Sequence, residues 1–174
     1  MNQLTINNAI VELFVGELVK TNYDAVVISC NSRLLPSGDI TCDVLRNAGS
    51  TVQVECNKIM LESSNVPIGG AVITSGGNLE SKYIIHARAG HDGKKLMLAM
   101  WNSLKLADEK KIESLVFPPI LKDYFTSKKC ANIMLSTIHK YLSENNENIK
   151  NVSICLETLP DYKEFEAILE NISQ

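Results

Sequence analysis

The chain has 174 residues, 45% of them apolar and 21% charged, with 17 basic against 20 acidic side chains. That is the balance of an ordinary globular protein of one domain, 1–174, able to bury roughly 70% of its unfolded surface. The net charge of −3 is spread without a basic stripe, which argues against nucleic acid as a partner.

No run of 18 or more apolar residues marks a membrane span, and the start, MNQLTINNAIVELFV, lacks the basic-then-apolar pattern of a signal peptide. The five cysteines (30, 42, 56, 130 and 155) are odd in number, widely spaced and without a CxxC pair. Reduced thiols in a cytoplasmic protein are expected, with a nuclear placement open for a eukaryotic chain. His86, His91 and His139 share no ligand spacing with each other or with the cysteines, so neither a metal nor a cofactor is expected.

Ala9–Val15 and Asp24–Ser29 read as short buried strands. The first lacks a helical crossover to its successor and is expected antiparallel at a sheet edge. Ile40–Ala48 reads as a helix closed by Gly49, and Ser50 caps a second one over Thr51–Ser63. Strands follow at Ala71–Ser75 and Tyr83–Ala87. Lys94–Lys110 carries apolar residues at 96, 97, 100, 101, 104 and 107, one continuous helical stripe. Leu115–Phe117 is a strand running into Pro118-Pro119. Thr126 or Ser127 starts a helix to about Leu142, Val152–Leu156 is the last strand, and Tyr162–Ile172 closes the chain as a helix. Alternating strands and helices imply an α/β fold with helices on both faces of a largely parallel sheet.

Residues 24–49 hold the strongest functional signal. A strand leads through Cys30-Asn31 and a loop with one glycine to a helix start at Ile40. Ligands of open α/β sheets bind beyond the carboxyl ends of strands, and helix N-termini favour phosphate. A phosphate-bearing ligand is expected here, with Asn31 either contacting it or merely closing an Asx-turn. No G-x-G-x-x-G, P-loop or G-x-S-x-G pattern is present. Cys30 and His86 both fall near strand ends and form a candidate nucleophile–base pair, against the commoner reading of each as a core residue. Glu17, Asp24 and Asp39 sit near loops, but their spacing does not make them a catalytic pair.

The ordered motifs over residues 8–172 resemble the macro domain family, which binds ADP-ribose and takes part in Appr-1-p processing. Gly16-Glu17-Leu18 stands for the Gly-Asp-Ile triplet that follows the first strand. Asp24–Asn31 (DAVVISCN) stands for "DAIVNAAN", followed by Pro36-Ser37-Gly38-Asp39-Ile40 and Ala48-Gly49. Gly70–Leu79, Lys82–Ala87, Leu104–Ala107 and Val116-Phe117-Pro118 keep the family's order. The resemblance implies a three-layer α/β/α fold with a mixed, mostly parallel sheet of about six strands.

It further implies a site for ADP-ribose or an ADP-ribosylated protein; no other protein partner is implied. Glu17 and Leu18 would serve the adenine end. Asn31, Gly38, Asp39 and Ile40 would serve the distal ribose and diphosphate. Leu121, Lys122, Asp123, Tyr124 and Phe125 would form the second phosphate loop. If the site is catalytic, Asn31 and Asp39 are the residues implied.

The chain departs from the family pattern in four places. Glu17 replaces aspartate, Ile28 replaces the first asparagine of "NAAN", and Pro36-Ser37-Gly38-Asp39 retains one glycine of a glycine run. Residues 121–125 have no glycine at all. Without glycine, left-handed backbone that forms an anion nest costs about 1 kcal/mol or more per residue. Lys122 would supply a point charge instead, and Tyr124 or Phe125 a stacking face. These losses fall on positioning groups, which favours a binding module over an ADP-ribosyl hydrolase acting on modified proteins or O-acetyl-ADP-ribose. A degenerate fold kept as a protein-interaction scaffold is the third reading.

Overall fold

The computed structural model describes residues 2–121 and 123–173. Seven strands form one sheet: β1 (Gln3–Ile6), β2 (Ala9–Val15), β3 (Ala25–Ser29), β4 (Ala71–Ser75), β5 (Tyr83–Ala87), β6 (Ser114–Phe117) and β7 (Asn151–Leu156). The helices are α1 (Asp39–Ala48), α2 (Ser50–Ser63), α3 (Gly93–Glu109), α4 (Ser127–Glu144) and α5 (Leu159–Ile172), with a 3-10 turn at Leu18–Lys20.

The strand order is β1-β2-β7-β6-β3-β5-β4. The five strands from β2 to β5 run parallel, and β1 and β4 close the two edges antiparallel. Side chains alternate between faces along a strand. In β3, Val26 and Ile28 face a core shared with Val44 of α1 and Val52 of α2. Ala25 and Val27 face the opposite core, built with Leu96 and Met100 of α3, Leu135 of α4 and Phe165 of α5. Two helices on one face and three on the other give the three-layer α/β/α architecture.

Two expectations are corrected. The sheet has seven strands rather than about six, because the first, QLTI, is short and half polar and offers almost no apolar run. It is folded back onto β2 by the two-residue turn Asn7-Asn8, where Asn7 takes φ +52 and donates from Nδ2 to the Leu142 carbonyl at 3.2 Å. Ala9–Val15 is therefore neither antiparallel to its inner neighbour nor at an edge: it lies parallel beside β7 from Ile10↔Asn151 to Val15↔Leu156. The partner arrives some 140 residues later in the chain, beyond the reach of a rule based on the next strand.

Helix boundaries follow local chemistry. Gly49 ends α1 and precedes α2 with φ +86, and its N–H donates to Leu45 at 3.2 Å; a Cβ there would meet Asn78 Nδ2 at 2.7 Å. Ser50 is thus the first residue of α2 and not its cap. Asp92 and Thr126 cap α3 and α4 by accepting from the amides of Lys94 and Lys129.

Asp108, buried near the end of α3, accepts from the amides of Glu147 (3.0 Å) and Asn148 (2.7 Å) and from the Tyr141 hydroxyl (3.1 Å). Burial alone would raise its carboxyl, but these donors hold it below its ordinary value. The polar loop at 145–148 is thereby fastened where the chain enters β7.

His86 is fully buried in β5. Its Nε2 lies 2.9 Å from Thr74 Oγ1, and its Nδ1 has no partner. Burial pushes the imidazole down to about 4, partly opposed by Glu55. The unfolded ring takes a proton near pH 6.5 while the folded one does not. Stability held by the neutral ring is complete above pH 6.5 and drains away as pH falls toward 4. Between pH 7 and pH 5 the loss is about 2 kcal/mol. Urea unfolding at both pH values will show it, and His86→Gln, which cannot titrate, will flatten that part of the slope.

Candidate functional site

A cleft opens where four adjacent parallel strands, β2, β7, β6 and β3, end. It has two chambers that share Ile40, Pro118 and Glu157. The smaller, about 200 Å³, is lined by Gly16, Glu17, Leu18, Val19, Asp43 and Cys155. The larger, about 290 Å³, is lined by Ser29, Ser37, Gly38, Asp39 and Thr41 on one side and by Pro119, Leu121, Asp123 and Tyr124 on the other.

The first wall is the loop from β3 to α1. Asn31 organises it: its side-chain oxygen accepts from the amides of Arg33 at 2.8 Å and Leu35 at 3.1 Å. Leu34, buried and at φ +58, anchors the loop in the core under α1 and α2. Ser29 Oγ donates to the Ser37 carbonyl at 3.0 Å, and Thr41 Oγ1 donates to the Ser29 carbonyl at 3.1 Å, tying the loop to the helix start. Gly38 has φ +99, a backbone region that favours glycine. Its carbonyl accepts from Cys42 at 3.1 Å as the first helical bond. The amides of Asp39, Ile40 and Thr41 precede that bond and have no acceptor among the described residues.

The second wall follows β6. Ile120 is buried, and its carbonyl receives the Cys130 thiol at 3.1 Å. Leu121 takes φ +61 without being glycine, and its carbonyl accepts from Tyr124 at 2.9 Å and Phe125 at 3.1 Å. The left-handed turn is therefore built by a leucine whose side chain packs on the core beneath α4. Packing offsets a backbone cost of about 1–2 kcal/mol. Tyr124 stacks on His91, rings 4.0 Å apart and 20° from parallel, and forms the lip of the larger chamber.

The cleft thus gathers Glu17, Leu18, Gly38, Asp39, Ile40, Leu121, Asp123 and Tyr124. Asn31 lines neither chamber, its oxygen being engaged in the Asx-turn. Phe125 also lines neither, turning onto the core with Lys129 Nζ 4.5 Å from its ring. Lys122 lies outside the described residues. Ser29, Ser37, Thr41 and Glu157 belong to the cleft without having been singled out. A serine or threonine flanking the loop and a carboxylate directly after the last strand were the only signals available for them.

Glu17 is exposed and holds Lys20 at 2.7 Å, and Asp43 holds Arg46 at 2.9 Å. Asp39, Asp123 and Glu157 have no basic partner among the described residues, and no described lysine or arginine lines either chamber. The positive ends available to a ligand are therefore main-chain N–H groups at the start of α1.

Cys30 and His86 do not form a nucleophile–base pair. Burial pushes the Cys30 thiol up to about 12, and the only side-chain hydrogen bond of the His86 ring is to Thr74. Ile28 is fully buried in the core under α1 and α2, away from the cleft lining. No group of three His, Cys, Asp or Glu among the described residues is placed to hold a metal ion, and no described helix is long and apolar enough to cross a membrane.

The family model of the macro domain matches residues 27–134. A macro domain-containing protein of Caldanaerobacter subterraneus subsp. tengcongensis is 30% identical, the alignment covering 94% of this chain and 98% of that one. A macro domain-containing protein of Methanosarcina mazei is 33% identical over 82% of this chain and 79% of its own. Among solved structures, the Oceanobacillus iheyensis macrodomain with ADP superposes with a TM-score of 0.89 at 27% identity, covering 98% of this chain and 95% of that one. The Trypanosoma brucei macrodomain in complex with ADP-ribose shares the fold, with a TM-score of 0.83 at 22% identity over 90% and 68% of the two chains. Sequence and architecture agree: the chain belongs to the macro domain family.

Proposed function

We propose that the cleft at the carboxyl ends of β2, β7, β6 and β3 binds ADP-ribose, free or as the ADP-ribosyl group of a modified protein. The observation that carries this reading is the open pair of chambers meeting at the unpaired amides of the α1 N-terminus. Taken together, the chambers of about 200 and 290 Å³ come within the size range of small-molecule sites, about 300–1,000 Å³. The smaller one, between Leu18, Val19 and Ile40, suits an adenine ring, with the Glu17 carboxylate at its edge. The larger suits the diphosphate and distal ribose. The structures of the Oceanobacillus iheyensis macrodomain with ADP and of a glycine-to-valine variant of it with ADP-ribose support this choice of ligand.

Binding without efficient hydrolysis fits the residues best. Orienting a water at an anomeric carbon depends on positioning groups, and small displacements are costly. Ile28 replaces a polar group with buried hydrocarbon, and the Asn31 oxygen is engaged by its own loop. Asp39 lines the larger chamber and is the remaining candidate for ordering a water. The alternative, an ADP-ribosyl hydrolase, rests on that one carboxylate.

Calorimetry with ADP-ribose should give micromolar to sub-millimolar affinity. No heat and no thermal shift at millimolar ligand would reject the proposal. Gly38→Glu places a carboxylate before the α1 amides on a backbone that strains any side chain, and affinity should fall about tenfold or more. Glu157→Gln removes a like charge from both chambers and should raise affinity about two- to fivefold at low salt, less at high salt. Release of ADP-ribose from an auto-modified transferase should be slow or absent over hours. Turnover at ordinary enzymatic rates, lost in Asp39→Ala, would establish the hydrolase reading instead.

A further inference from the structure

A groove between α3 and α4 encloses about 840 Å³, more than the two chambers of the cleft together. Both helices follow parallel strands on the same face of the sheet, so they run in the same direction and bring their N-termini to one end. Gly93 lets them approach there: a Cβ would meet Ile133 Cδ1 at 3.1 Å. The α3 residues that fill the core are Leu96, Ala99, Met100, Leu104 and Ala107. Met97 and Leu98 fall off that stripe and are left 48% and 42% exposed. Together with Trp101 and Ile133 they floor the groove. Trp101 and Ile133 pack partly against the core, but core burial does not account for Met97 and Leu98 beside them.

The rim of the groove is basic. Lys94 and Lys129 stand at the helix starts, and Lys140 stands at the far end, its Nζ 6.0 Å from the Trp101 ring. None of the three pairs with a carboxylate among the described residues. Asp92 is the single acidic residue of the lining, and its carboxylate is used to cap α3 through the Lys94 amide at 2.7 Å. A positive rim persists on a chain whose net charge is −3. From Lys129 to Lys140 the groove runs about 16 Å, roughly eleven residues of helix.

We propose that the α3–α4 groove docks an acidic amphipathic helix of a partner protein. Apolar side chains at i, i+3 or i+4, and i+7 of that helix would cover Met97, Leu98, Trp101 and Ile133. Its glutamates or aspartates would meet the three lysines. The floor supplies affinity by apolar burial, and the rim selects the sign of the partner's charge. The groove borders the cleft across the ridge where Tyr124 stacks on His91 and Phe125 lies under Lys129. The proposal does not depend on what the cleft binds.

Trp101 is the only tryptophan of the chain and lines the groove, so its emission reports occupancy directly. The probe is a fluorescein-labelled, tryptophan-free helical peptide of fourteen residues with leucine and phenylalanine at the anchor spacing and glutamate elsewhere. It should bind with micromolar affinity by anisotropy, and an unlabelled copy should shift the Trp101 emission to the blue. Met97→Glu, and separately Lys94→Glu combined with Lys140→Glu, should each weaken binding about tenfold or more. Circular-dichroism melts of the same variants should match the parent, which shows them folded whatever the cleft binds.

Four results would overturn the proposal. One is no change in Trp101 emission. Another is equal binding of a peptide with lysine in place of glutamate. A third is equal binding of polyglutamate or of duplex DNA, which lack the apolar anchors. The last is a concentration-dependent dimer abolished by Met97→Glu, which would assign the groove to a second copy of the chain.

Discussion

The parallel alignment of β2, β7, β6 and β3 is the constraint on which the site depends. Each of these strands ends on the same side of the sheet, so the segments after them must emerge together. The segments begin at Gly16, Glu157, Pro118 and Cys30, distant in the chain but joined in one cleft or its wall. Antiparallel pairing of any inner strand would send its loop to the opposite edge. The two antiparallel strands are confined to the outside, where they cover open sheet edges without disturbing this convergence.

Each wall of the cleft meets its backbone requirements in a different way. The first keeps a glycine at the left-handed position, Gly38, and frees the amides at the start of α1. The second places Leu121 in the left-handed region and holds it there by packing its side chain beneath α4, while Ile120 anchors the turn to Cys130 and Met134. A glycine loop can adapt around a phosphate, whereas a leucine-anchored turn is held in one shape. Main-chain donors are thus concentrated on the α1 side, and the facing wall contributes a stacking lip and the carboxylate of Asp123.

The electrostatics of the two concave surfaces are opposite. Among the described residues, the larger chamber of the cleft has carboxylates without a basic partner beside main-chain donors, and the α3–α4 groove has lysines without an acidic partner over hydrocarbon. Charge this sharply divided over so short a distance survives because each group is exposed and keeps most of its hydration. Two buried titratable groups are instead shifted by what surrounds them. Asp108 is held as a carboxylate by donated N–H and O–H groups, and His86 is held neutral by its burial.

The sequence by itself determined the helices, the buried strands and the family, because those rest on local periodicity, on caps such as Thr126 and on motif order along the chain. It left β1 unseen, since QLTI carries too little apolar signal, and it misplaced β2, whose partner β7 comes last. Gly38, Asp39 and Ile40 were legible as cleft residues because they open a helix after a strand. Glu157 and Ser37 were not, because membership of a cleft is decided by which strand ends lie side by side. The Asx-turn of Asn31 is local and was one of two readings of the sequence, whereas the tertiary structure alone decided that Phe125 turns to the core and that Met97 and Leu98 stay outside it. Each of those outcomes depends on contacts between segments far apart in the chain, and no local pattern encodes which of two available partners a side chain will meet.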